Sequence, residues 1–106
     1  MAKFLWKASY TPQGVKGVLS EGGTGRRAAV EKTVEALGGK IDEFYFAFGG
    51  ADVYVIADLP DNVTAAALSL AVNAGGAVQL ETVQLLTAEE MDEATKKSVD
   101  YTPPGG

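Results

Sequence analysis

Four stretches rich in aromatic and β-branched residues alternate with two stretches of helical period, each bounded by glycine or proline, in the order strand, helix, strand, strand, helix, strand. That order leaves a short chain few ways to fold. The first strand runs from Lys3 to Tyr10, with Phe4, Trp6, Ala8 and Tyr10 on one face and Lys3, Leu5, Lys7 and Ser9 on the other. Thr11-Pro12-Gln13-Gly14 breaks it. Val15, Val18 and Leu19 fall at helical spacing in a short helix, and Gly22-Gly23-Thr24-Gly25 reads as a loop. Val30, Val34 and Leu37 then share one face of a main helix from Arg26 to Leu37, which Gly38-Gly39 ends.

Lys40 to Phe48 forms the second strand, with Phe44, Phe46 and Phe48 on one side and Ile41, Glu43, Tyr45 and Ala47 on the other. A tight turn through Gly49-Gly50-Ala51 leads into a third strand over Asp52 to Ala57, where Val53-Tyr54-Val55-Ile56 favours extended backbone. Leu59-Pro60-Asp61-Asn62 stops it. Asp61 or Asn62 caps a second helix reaching Ala74, expected to turn Val63, Ala66, Ala67, Leu70 and Ala74 to the sheet, and Gly75-Gly76 closes that helix. Ala77 to Leu86 is the fourth strand. Thr87, with Glu90 three positions on, forms a capping box for a last polar helix ending near Ser98.

The result is an α+β, ferredoxin-like βαββαβ domain. Its four-stranded antiparallel sheet has strands one and three central, both crossover helices on one face, and an extra C-terminal helix. With 106 residues the chain is read as one domain over 1–98 and a tail over 99–106, since half that length could not bury an adequate core. Every aromatic residue except Tyr101 falls in these strands, and the second strand carries large apolar groups on both sides. Two helices cover only one face of the sheet, so the other would expose a patch beyond about a few hundred Å². A second copy related by a two-fold axis is the expected cover, as a homodimer or larger homo-oligomer. Such pairing encloses clefts between sheet and helices where small molecules lodge.

The formal net charge of -5 sets the surface against phosphate backbones, and the longest basic clusters are Arg26-Arg27 and Lys96-Lys97, so nucleic acid is not an expected partner. No apolar run approaches a membrane span, and Lys3 and Lys7 interrupt what an export signal would need, so a cytoplasmic protein without a membrane partner is expected. With no cysteine and no histidine the chain has no disulfide, thiol nucleophile, imidazole base, thiolate zinc site or histidine-held haem. Neither a metal nor a cofactor is expected.

Candidate site residues remain. Asp52, opening the third strand after a glycine turn, can serve as a general base or ligand anchor if a cleft desolvates it; the plainer reading has it accepting hydrogen bonds from the turn's own N–H groups. Gly22 to Arg27 resembles an anion-binding nest at a helix start, against the plainer reading of a flexible loop with solvated arginines. The positive charges of Arg26 and Arg27 oppose the helix dipole there unless an anion or carboxylate answers them. Lys7 and Ser9, on the first-strand face opposite Trp6, and Tyr10, Tyr45 and Tyr54 can supply the polar points of a mostly apolar pocket, with Trp6 among its ligand-binding residues, or be satisfied core and interface groups. Asn73 stands on a helix otherwise rich in Ala, Leu and Val, where either exposure or a pocket hydrogen bond would account for it.

Several of these features resemble the GYD-domain family, of the dimeric α/β barrel group of ferredoxin-like folds. The likeness is carried by Tyr10-Thr11 with Gly14, by Leu37-Gly38-Gly39-Lys40, by the aromatic second strand, and by Gly49-Gly50-Ala51-Asp52 running into Val53-Tyr54-Val55-Ile56 and Pro60-Asp61. Gly49 and Asp52 match the family's naming motif, whereas Ala51 occupies its tyrosine position, so no role of that tyrosine carries over. The resemblance implies a paired sheet. The wider group includes cofactor-free oxygenases, isomerases and haem proteins. Three functions follow as expectations. The first is a homo-oligomeric small-molecule-binding protein with its pocket between helices and sheet. The second is a cofactor-free isomerase or monooxygenase acting on a small apolar or aromatic substrate, with Asp52, Tyr45, Tyr54, Lys7 or Arg26 as acid, base or anion clamp. The third is a purely structural assembly.

Overall fold

A computed structural model describes residues 1–106. Its elements are β1 (Ala2–Tyr10), α1 (Pro12–Ala36), β2 (Lys40–Phe46), β3 (Val53–Leu59), α2 (Asn62–Ala74), β4 (Val78–Leu85) and α3 (Ala88–Thr95). The four strands form one antiparallel sheet in the order β2-β3-β1-β4, the ferredoxin-like arrangement with a C-terminal helix added.

Alternation divides the sheet cleanly. Phe4, Trp6 and Ala8 of β1 and Val53, Val55, Ala57 and Leu59 of β3 are buried toward the helices, where Val34 of α1 and Ala65 and Leu68 of α2 complete the core. Removing such side chains from water supplies roughly 1.5–3 kcal/mol for each large one. α1 packs mainly against β2 and α2 against β4, so the helices lie over opposite halves of the sheet.

Four sequence expectations need correction. Gly22 to Gly25 is not a loop: α1 is helical throughout except at Gly22, whose φ of 77° joins two helical segments at a kink. Glycine alone takes that backbone conformation without strain, so the kink stays local. A β-bulge between Ile41 and Glu43 shifts the alternation of β2, setting Ile41 opposite Ala57 of the core rather than on the side of Glu43 and Tyr45. β2 ends at Phe46, and Phe48 lies in the connecting loop. α2 faces the sheet through Ala65, Leu68 and Val72; Ala66, Ala67 and Ala74 are exposed, with Val63 at 78% and Leu70 at 72%. An alanine-rich helix with no charged residue offers no polar face to set its rotation, and contact with the sheet decides it.

The caps follow the sequence closely. Asp61 accepts from the Thr64 N–H at 2.8 Å, Gly38 with φ of 83° follows the end of α1, and the reciprocal Thr87–Glu90 box opens α3. Thr11 caps α1, and its hydroxyl donates to the Gly76 carbonyl at 2.8 Å. Gly14 beside it is buried so closely that an added Cβ would lie 2.1 Å from the Ala77 carbonyl oxygen. Close approach of backbone to backbone therefore fixes that glycine.

Beyond Leu85 the chain leaves the body. Every residue from 86 to 106 is exposed, and α3 buries none of its side chains. The radius of gyration is accordingly 16.8 Å, against about 13 Å for a compact chain of this length.

Candidate functional site

The gap between α1 and α2 leaves a cleft of about 170 Å³ above the centre of the sheet. Trp6, Ala8 and Tyr10 of β1, Phe44 of β2, Val53 and Val55 of β3, and Val78 and Leu80 of β4 form its floor. Ala29, Val30, Thr33 and Val34 of α1 and Leu68 and Val72 of α2 form its walls, with Arg26 beside them. All of these but Arg26 and Thr33 are aromatic or aliphatic.

Two polar features stand out in this lining. Trp6 is only 2% exposed, and its indole Nε1–H is a buried donor without a hydrogen-bond partner. Such a group pays for its desolvation without return unless a ligand or water supplies an acceptor. Arg26 is partly buried, and its guanidinium lies 3.6 Å from the Glu21 carboxylate across the kink. Glu21 thus stands where an anion was expected to answer the charge at this helix start. Thr33 has already committed its hydroxyl proton to the Ala29 carbonyl at 3.1 Å.

The remaining candidates lie elsewhere. Arg27 is exposed on α1 and stands 3.9 Å from Glu31. Lys7, Ser9, Tyr54 and Asn73 border a shallow open depression, apart from the cleft beside Trp6. Asn73 clamps the edge strand: its side-chain Oδ1 accepts from the Leu80 N–H at 2.7 Å and its Nδ2 donates to the Leu80 carbonyl at 3.2 Å. Tyr45 projects from β2 on the outer face, and the neighbouring Glu43 carboxylate raises its phenol above the usual range. Asp52 accepts the Tyr10 backbone N–H at 2.8 Å through its carboxylate and donates its own N–H to the Ala8 carbonyl, also at 2.8 Å. Its partner is therefore strand β1, not the glycine turn before it.

Of the residues singled out from the sequence, Trp6, Tyr10 and Arg26 line this cleft; Thr33 and Phe44 line it too and were passed over. The signal for Thr33 was present: Arg26, Val30, Thr33 and Val34 follow helical spacing on the α1 face that the main-helix pattern had already turned to the sheet.

The outer face of the sheet is mixed. Leu5, Ile56 and Val83 run side by side across β3, β1 and β4, each half-buried, with Tyr45 and Tyr54 beside them. At one end Lys3 bridges Asp42 and Asp58, at 3.0 Å to Asp58, and Lys40 lies 3.6 Å from Asp42. The hydrogen bond with Lys3 holds the Asp42 carboxyl below its ordinary value, and Asp42, then Asp58, raise the Lys3 ammonium above its own. No three metal-ligating side chains converge anywhere, and no helix is long and apolar enough to cross a membrane.

The architecture defines an α+β protein with a ferredoxin-like sheet and an apolar cleft between its helices. The chain belongs to the GYD domain family, whose model matches residues 4–95. No curated protein and no solved structure matches it.

Proposed function

We infer that this protein binds a small, largely apolar molecule in the cleft between α1, α2 and the sheet, and that it works as a homo-oligomer. The observation that carries the first part is an otherwise greasy cavity one of whose lining residues, Trp6, keeps a buried indole N–H without a partner. Small-molecule sites combine an apolar lining with a few convergent polar groups, and Trp6, Arg26 and Tyr10 are such groups here. A cavity of about 150 Å³ is known to hold benzene in an unrelated protein, so the volume suits a single ring.

Two observations support self-association. The outer sheet face presents Leu5, Ile56 and Val83 to water in a lone chain, and the arm beyond Leu85 carries exposed Met91, Val99 and Tyr101 with nothing of its own chain to cover them. A second copy laid sheet to sheet would bury the first set and give the arm a surface to rest on. The enzymatic reading has less to draw on, because the Asp52 carboxylate is held by the Tyr10 backbone N–H and Glu43 raises the Tyr45 phenol further from the range of a useful base.

The test is a screen of small aromatic compounds and quinones, followed by Trp6 fluorescence and melting temperature. A ligand at a hundred times its dissociation constant adds ~2.7 kcal/mol and raises the melting temperature measurably. A broad library in which no compound moves either signal would overturn the binding reading.

A further inference from the structure

We propose that the ligand of the cleft is a compact monocyclic carboxylic acid bound as its anion, of about the size of benzoate, with its ring over the sheet and its carboxylate oxygens facing Arg26 and the Trp6 indole N–H. The proposal rests on the small-molecule reading above and adds its chemistry. Three features of the lining converge on it.

The first is size: about 170 Å³ takes one ring with a short substituent and little more. The second is charge. Arg26 is the one formally charged side chain in the lining, and no aspartate or glutamate lines the cleft beside it. A cation would meet that guanidinium in apolar surroundings, where like charge is weakly screened. The third is the direction of the unused hydrogen bonds. An indole N–H can only donate, and the Trp6 one has no acceptor. The Arg26 guanidinium has five donors, and within the chain it meets Glu21 through NH1 alone, at the loose distance of 3.6 Å. The Thr33 hydroxyl has spent its proton on Ala29. Trp6 and Arg26 therefore call for an acceptor and for negative charge, and the only side-chain acceptors beside them in the lining are the neutral Tyr10 and Thr33 oxygens. A carboxylate supplies both, and its two oxygens can meet two donors at once. A neutral hydrocarbon would fill the same volume but leave the Trp6 N–H buried and unpaired, which is the costly arrangement.

Isothermal titration of the full-length protein with benzoate, benzamide and toluene tests this, on the wild type and on Arg26→Gln, Arg27→Gln and Trp6→Phe. Arg27 is outside the cleft and stands near Glu31, so its substitution changes net charge equally without touching the lining. Benzoate is expected to bind saturably and more tightly than toluene. Arg26→Gln should weaken benzoate about tenfold or more, the loss of one hydrogen-bonded charge pair, and leave toluene unchanged. Arg27→Gln should leave both unchanged, and Trp6→Phe should weaken benzoate and benzamide more than toluene. If Trp6→Phe does not fold, tighter binding of benzamide than toluene to the wild type reads the indole donor instead. Toluene binding as tightly as benzoate, or equal losses in the two arginine variants, would overturn the acid assignment while the cleft reading stands. No binding of any of the three would overturn both.

Discussion

Replacing Asp52 by alanine removes one hydrogen bond whose loss can be sized from the structure. The carboxylate accepts the half-buried Tyr10 backbone N–H at 2.8 Å, at the point where β1 hands over to the Thr11 cap of α1. The other two bonds of this residue, its N–H to the Ala8 carbonyl at 2.8 Å and its carbonyl from the Ala47 N–H at 2.7 Å, are backbone and survive the change. A hydrogen bond to a charged acceptor is worth roughly 1.5–3 kcal/mol, so Asp52→Ala should cost ~2 kcal/mol. Asp52→Asn keeps a neutral acceptor in place and should cost about half as much, ~1 kcal/mol. Chemical denaturation followed by Trp6 emission measures both, since Trp6 is buried at 2% exposure and reports the whole core. The midpoints should fall in the order wild type, asparagine, alanine with a common denaturant slope. An alanine variant as stable as the wild type would refute the idea that this carboxylate ties the strand, and would free Asp52 again for a chemical role.

Other perturbations probe separate parts of the account. Gly14→Ala forces a Cβ to within 2.1 Å of the Ala77 carbonyl oxygen, so α1 must shift from β4; thermal unfolding should show a loss of roughly 1–3 kcal/mol. On acidification, Asp42 and Asp61 are the groups to watch, both lowered from 3.8: Asp42 first by its hydrogen bond with Lys3, Asp61 first by the Thr64 backbone N–H. A carboxyl lowered in the folded state contributes stability that is full above its unfolded pKa and fades as pH falls through the folded one. Melting temperature should therefore drop as pH goes below 3.8, modestly because both groups are exposed, and the drop should shrink in Asp42→Asn with Asp61→Asn. An unaltered acid limb in the double variant would contradict that assignment. Leu5→Glu places a carboxylate on the outer sheet face between Lys3 and Lys7, which a folded single chain tolerates and a sheet-to-sheet pair does not. Sedimentation should then report separated subunits with a cooperative melt, while an unchanged assembly would remove the outer face from the interface.

The topology was legible because alternation and glycine punctuation are local, and so were the caps at Asp61, Gly38 and Thr87. Errors arose where partners distant in sequence or a single backbone angle decide. Gly22 to Gly25 reads as a loop by composition, yet one left-handed residue suffices to join two helical segments. The bulge beside Asp42 breaks the alternation that had put Ile41 on the side of Tyr45, and a two-residue period carries no warning of it. α2 has no polar stripe, so its inward side became visible only against β4. In the cleft, Trp6 and Tyr10 followed from the strand pattern and Arg26 from the glycine-rich stretch before the main helix. The attachment of Asp52 to Tyr10 spans 42 residues and could not be read locally.

With a single tryptophan in the chain, the indole ¹H–¹⁵N correlation of Trp6 is one resolved signal from a residue of the cleft floor. Titrating benzoate into the labelled protein should move that signal downfield to saturation, as the unpaired N–H acquires an acceptor. A compound library that leaves it unmoved at every concentration would mean the cavity above the sheet is only a packing gap.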